Sequence, residues 1–177
     1  TKARYFYPLD YFPHQTSDST LLGEQQWRWL ESELRHPADV RIIGSSTQFG
    51  IEYNGYEAWA NFPHEQQRML DLIQKTRANG VLFITGDVHY AEISKILPSG
   101  GYPIYDVTSS GITSTWHFAT PNAHRIEGPV MENHFGLLTI RERADSIGAR
   151  VELHTAPGKG TRWTFRLPTL SDSREAP

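Results

Sequence analysis

Two short apolar runs, residues 40–44 (VRIIG) and 81–85 (VLFIT), each come after a helical pattern and each open into a polar cluster. That repetition constrains the fold more than any other feature of the chain. Leu22, Trp27, Leu30 and Leu34 are spaced close to one helical face and are followed by Pro37, so a helix is predicted between residues 18 and 34. Pro63 suits a first helical turn, Met69, Leu72, Ile73 and Thr76 share a face, and Gly80 offers a stop. Short β-branched runs bounded by turn residues are buried strands. Strand, helix, strand therefore recurs, and the expected architecture is α/β, with ligand-bearing loops at the C-terminal ends of the strands. Residues 93–97 and 102–108, joined by Pro98, Ser99, Gly100 and Gly101, read as a hairpin, which makes the sheet mixed.

Beyond this core the patterning weakens. Residues 109–134 are rich in Ser, Thr, Asn, His and Pro without a period, and a loop of that length in a compact chain is usually functional. Residues 135–140 read as a strand, yet Leu137, Ile140, Ala144 and Ile147 also fit a helix over about 138–147 that stops at Gly148. Alternation over 150–154 and 161–167 predicts a second hairpin turning at 157–160. Charge shifts near the same place. Residues 1–140 carry 10 Lys and Arg against 15 Asp and Glu, whereas 141–177 carry 7 against 5. Two units are expected, 1–140 and a helix/hairpin tail over 141–177.

Composition narrows the function. With 5 Trp, 8 Tyr and 8 Phe in 177 residues the chain can pack a core, and no window reaches the length of apolar sequence that spans a bilayer. A net charge of −3 and a pI near 6.2 argue against a nucleic-acid surface, which needs clustered Lys and Arg. The absence of cysteine excludes disulfides, thiolate metal sites and cysteine nucleophiles within these residues. No Walker loop or nucleophile elbow is present.

The sharpest chemical signal is Gly86-Asp87-Val88-His89 at the end of the second run. If that segment is extended, Asp87 and His89 face one side, and a carboxylate beside an imidazole suits a hard or borderline divalent metal. A turn cap at Asp87 and an ordinary buried hydrogen bond at His89 would explain the same pair. In a parallel arrangement Ser45, Ser46, Thr47 and Gln48 share an edge with Asp87, where they could position a phosphate or serve only the turn. Trp59 and Asn61 are candidates for a substrate wall, with Trp59 equally suited to the core.

Six blocks in order, LLGEQQWRWLESELR, ADVRIIGSSTQF, EAWANFPHEQQRMLDLI, ANGVLFITGDVHYAEIS, YPIYDVTSSGIT and NAHRIEGPVMENHFGLL, resemble the C-terminal half of the alkaline phosphatase D (PhoD-like) metallophosphoesterases over about residues 1–140. The resemblance implies part of a calcineurin-like sandwich, a mixed β-sheet with flanking helices. It also implies two metal ions, with calcium and iron among them, and a small phosphoester substrate. It assigns Asp87 and His89 as metal ligands and Gln48, Trp59, Asn61 and Asn133 as pocket-lining, and it implies a secreted or periplasmic setting. That family places Asp-x-His, Gly-Asp-x-x-Asp and Gly-Asn-His ligands in an N-terminal half; neither of the last two stands here, and the one Asp-x-His is Asp87-Val88-His89 itself, at the late position. The expectation is a fragment with an incomplete ligand set and little activity in isolation. A non-catalytic remnant or phosphate-binding module is the alternative. The tail, IRERADSIGARVELHTAPGKGTRWTFRLP, resembles the last helix and hairpin of sensor histidine-kinase ATPase domains, so the chain could also be a chimera of two lineages.

Overall fold

In a computed structural model, residues 19–140, 150–156 and 160–167 are described. The chain is α/β, with a mixed five-stranded sheet and flanking helices, as the sequence predicts. Helix α1 (Glu24–Leu34) buries Trp27, Leu30 and Leu34 along one stripe, and strand β1 (Arg41–Gly44) follows. A 3-10 turn (Trp59–Asn61) leads into α2 (Pro63–Thr76), with Pro63 in its first turn. Strands β2 (Val81–Thr85), β3 (Ala91–Ile96), β4 (Ile104–Ser109) and β5 (Arg125–Val130) complete the sheet, in the order β1-β2-β4-β3-β5. Strands β1, β2 and β4 run parallel, and β3 pairs antiparallel with both β4 and β5. The predicted hairpin is β3–β4. Strand β5 lies inside the stretch expected to be irregular, where Gly128, Pro129 and their polar neighbours obscure its pattern.

Three differences from the sequence reading have local causes. Helix α2 stops at Arg77, which adopts the left-handed conformation (φ 54°) and donates its N–H to the Gln74 carbonyl, so Gly80 is not the stop. Gly80 instead brings two strand entries together. A Cβ there would stand 2.0 Å from the Asp39 carbonyl oxygen, and the Gly80 carbonyl accepts the Arg41 N–H. Thirdly, Leu137–Ile140 is a strand, β6, which overturns the start of the helix expected over 138–147; residues 141–149 lie outside the described residues. The strand wins because its edge is paired: β6 runs parallel to β8 (Gly160–Leu167), which pairs antiparallel with β7 (Arg150–Ala156), the two strands of the second predicted hairpin, whose turn residues 157–159 lie outside the described residues.

The sheet face under the helices divides in two. Trp27, Leu30 and Leu34 of α1 and Met69, Leu72 and Ile73 of α2 cover Val81, Phe83, Ile96 and Ile104, and Phe49 stacks on Phe83 at 3.9 Å. Nearer the C-terminal ends of β2 and β4 the same face turns polar, with Thr85, Glu92, Ser94, Asp106 and Thr108 all buried. Leu82, Ala91, Ile93 and Val107 form the opposite face, against which Val130 and Leu138 pack.

Glu65 of α2 ties the helical layer together. Its buried carboxylate accepts from Thr20 Oγ1 (2.7 Å), Leu21 N (2.6 Å), Leu22 N (3.1 Å) and Trp27 Nε1 (2.6 Å). Burial alone would raise its pKa, but the donors from Thr20, Trp27, Leu22 and Leu21 outweigh it and hold the group below the ordinary glutamate value. A depressed folded pKa gives stability that is present above the unfolded pKa and is lost as pH falls through the folded one. Glu65→Gln is therefore expected to lower stability by about 1–2 kcal/mol at neutral pH. Urea melts at several pH values should show that difference narrowing in acid.

Candidate metal and phosphate site

Because β1, β2 and β4 are parallel and Gly44 registers with Ile84 while Thr85 registers with Thr108, three loops leave the sheet at one edge. They begin at Ser45, Gly86 and Ser110. The Ser45 N–H bonds the Ile84 carbonyl, and the Gly86 α-carbon faces the Ser46 carbonyl and the Ser110 side chain. The register thus brings Ser45 and Ser46 to the edge where the Asp87 loop begins, whereas Gln48 turns into the buried polar core.

The backbone at Asp87 and His89 is not the extended segment that the spacing suggested. Both residues lie in the left-handed region, at φ 76° and 58°, while Val88 and Tyr90 between and after them are buried in the core. Asp and His tolerate that conformation better than most residues, and backbone of this kind gathers at functional sites. Asp87 stands at the surface in a partly desolvated corner. Burial, and then the nearby Glu57 carboxylate, push its pKa above the usual aspartate range, and His89 partly offsets them. The His89 N–H donates to Ser110 Oγ (3.0 Å), its carbonyl accepts the Trp116 N–H (3.2 Å), and its ring lies 5.8 Å from the Trp116 ring. Its Nδ1 is buried without a hydrogen-bond partner. A buried imidazole nitrogen with no partner is a donor that an ion could use, and Asp87, two residues earlier, is near enough to feel the His89 charge. Two ligands do not complete a coordination sphere, and among the described residues no cluster of three His, Asp or Glu could hold an ion.

The other site candidates lie elsewhere. Gln48 is fully buried, donates to Glu92 Oε1 (2.9 Å) and Thr108 Oγ1 (3.3 Å), and accepts from the Tyr90 hydroxyl. Trp59 is 2% exposed, packs edge-on against Trp27 and Phe49, and donates its indole N–H to Ser45 Oγ (2.9 Å). It also borders a groove of about 450 Å³ between α1 and β1, with Leu30, Ile43 and Thr47. Asn61 is buried and donates to the Tyr56 carbonyl (2.7 Å), while exposed Asn133 donates to the Ile112 carbonyl (2.9 Å). Both asparagines thus position loops. Of the six candidates, Asp87 and His89 are the two that follow the open end of β2, where His89 lowers the Asp87 pKa. Tyr56, Glu57, Ser110 and Trp116 around them carry no periodic signal in the sequence, because they sit on irregular loops.

The family profile of PhoD-like phosphatases matches residues 9–147. The chain belongs to the PhoD-like phosphatase family. It is 27% identical over 86 residues to alkaline phosphatase D of Bacillus subtilis (strain 168), an alignment covering 44% of this chain and 15% of that protein. A solved structure described as that of PhoD aligns with 55% of this chain and 21% of its own, at 23% identity and a TM-score of 0.48. The chain therefore spans a minor part of the relatives it matches. No helix among the described residues is long and apolar enough to cross a membrane.

Proposed function

We propose that this chain supplies one side of the active site of a metal-dependent phosphoester hydrolase with a calcineurin-like sandwich, acting on a small phosphoester in a secreted or periplasmic setting. The observation that carries this reading is the unpartnered His89 Nδ1, two residues after Asp87 in the loop that leaves β2, in a PhoD-like phosphatase domain. Asp87 and His89 would hold a metal ion, with calcium and iron as the expected identities. Two such ions, when bound, polarise phosphoryl oxygens and make a water nucleophilic at neutral pH. The chain's own contribution is to fix the ligands: Ser110 and Trp116 clamp both backbone groups of His89, and Val88 anchors the turn in the core. The remaining ligands would come from Asp-x-His, Gly-Asp-x-x-Asp and Gly-Asn-His segments outside this sequence, so the isolated chain is expected to hydrolyse aryl phosphates slowly or not at all.

Calorimetric titration of the chain with Mn²⁺ as the probe tests the ligand assignment. Binding is expected, weakened at least tenfold by Asp87→Asn and by His89→Ala. Unchanged affinity in both variants would leave the pair a structural turn and favour the non-catalytic reading.

A further inference from the structure

Beside His89 the surface is aromatic. The Tyr56 ring meets Trp116 edge to face at 5.0 Å, and Phe118 lies tilted against Trp116 at 5.2 Å. These are large apolar rings held in water, with Tyr56 42% and Phe118 56% exposed. The backbone that carries them is anchored. The Trp116 N–H is bonded to the carbonyl of His89 itself, and the Asn61 side chain holds the Tyr56 carbonyl. Beyond Phe118, Thr120 Oγ1 donates to Asn54, and Arg125 donates to the Thr120 carbonyl. An aromatic surface tied by main-chain bonds to a candidate ligand keeps one fixed offset from anything bound there, and fixed rings lose little entropy on binding.

We propose that Tyr56, Trp116 and Phe118 form a wall that takes a planar ring on the leaving-group side of the phosphoester. This rests on the phosphoesterase reading and adds the substrate class, esters whose leaving group carries an aromatic ring. The carboxylates of Asp87 and Glu57 disfavour an anionic group at this edge without a metal, whereas an uncharged ring can lie against the wall. Rings stack on such surfaces in offset or edge-on geometry.

The test uses two non-hydrolysable probes, phenylphosphonate and methylphosphonate, titrated into the Mn²⁺-loaded chain. Phenylphosphonate is expected to bind about tenfold tighter. Trp116→Ala should bring the two within about twofold of each other, and Trp116→Phe should keep most of the preference. Phe118→Ala, at an exposed position, should lower the preference without touching the fold. Comparing adenosine 5′-monophosphate with ribose 5-phosphate distinguishes a nucleobase from a simple aryl group, since only the matching ring gains the Trp116-dependent factor. Equal affinities for the two phosphonates, both requiring Asp87, would overturn the wall and keep the phosphoesterase reading. If neither phosphonate binds and Mn²⁺ affinity ignores Asp87 and His89, both fall together.

Discussion

Arg125→Met is expected to destabilise the chain by about 3–5 kcal/mol, because it leaves the carboxylate of Glu92 buried without its cation. Glu92 is fully buried in β3, and Arg125 at the start of β5 donates to its Oε2. Gln48, Ser94 and Asn122 converge on Oε1, with Asn122 at 2.8 Å. These are hydrogen bonds to a charge, and they do not neutralise it. The same guanidinium holds the Thr120 carbonyl, so its loss also frees the loop that carries Trp116 and Phe118. Glu92→Gln in the Arg125→Met background removes the unpaired charge and should recover a large part of the loss. Urea denaturation of the two single variants and the double variant gives the coupling directly. Simple additivity would mean that the pair contributes no more than its separate parts.

The fold was legible where one property repeats along one face. Leu30 and Leu34 in α1, Met69 and Ile73 in α2, and the apolar run of β2 report burial, and burial decides these elements, whereas the run at β1, which reads as a buried strand, forms the open edge of the sheet and leaves Ile42 47% exposed. The strand-end edge followed, since parallel strands must expose their C-terminal loops together. The buried polar half of the sheet was not legible. In Glu92-Ile93-Ser94 and Asp106-Val107-Thr108 the alternation is visible, but polar residues in a hairpin ordinarily mark the solvent face. Here they face inward because residues 48–50 fold back over them, Phe49 and Gly50 donating backbone N–H groups to Asp106 and Gln48 its side-chain amide to Glu92 and Thr108. Only long-range contacts carry that information. Residues 137–140 show the same limit. Their apolar spacing fits two periods, and pairing with β8, some 27 positions later in the register Leu137 to Thr164, selects the strand. At the site, Asp87 and His89 were visible as residue types at a strand end, while their left-handed backbone was not, since neither is glycine.

Asp106→Asn is expected to abolish a pH dependence of stability that runs opposite to the one Glu65 produces. The Asp106 carboxyl is fully enclosed, and burial raises its pKa to about 6 despite donors from Thr85, Gly50 and Phe49, with Glu92 adding repulsion. Between the ordinary aspartate value of 3.8 and about 6, the folded state keeps a proton that the unfolded chain gives up. A raised folded pKa therefore gives stability that is full below the lower value and is lost as pH rises through the upper one, about 3 kcal/mol across the window. Asparagine stays neutral throughout. Its amide oxygen can keep the Phe49 and Gly50 N–H groups that now donate to Oδ2 at 2.9 and 2.7 Å, and Thr85 can turn its hydroxyl to Thr108, 2.8 Å away. The variant should match the parent near pH 4 and exceed it near pH 7.5. Asp106→Ala tests the geometry separately, because it strands two buried N–H groups at about 1–3 kcal/mol each and should be the less stable protein at every pH. Urea midpoints of the three proteins at pH 4, 5.5 and 7.5 decide the matter. An asparagine variant that follows the parent's slope would assign the titration to another group and leave Asp106 charged in the fold.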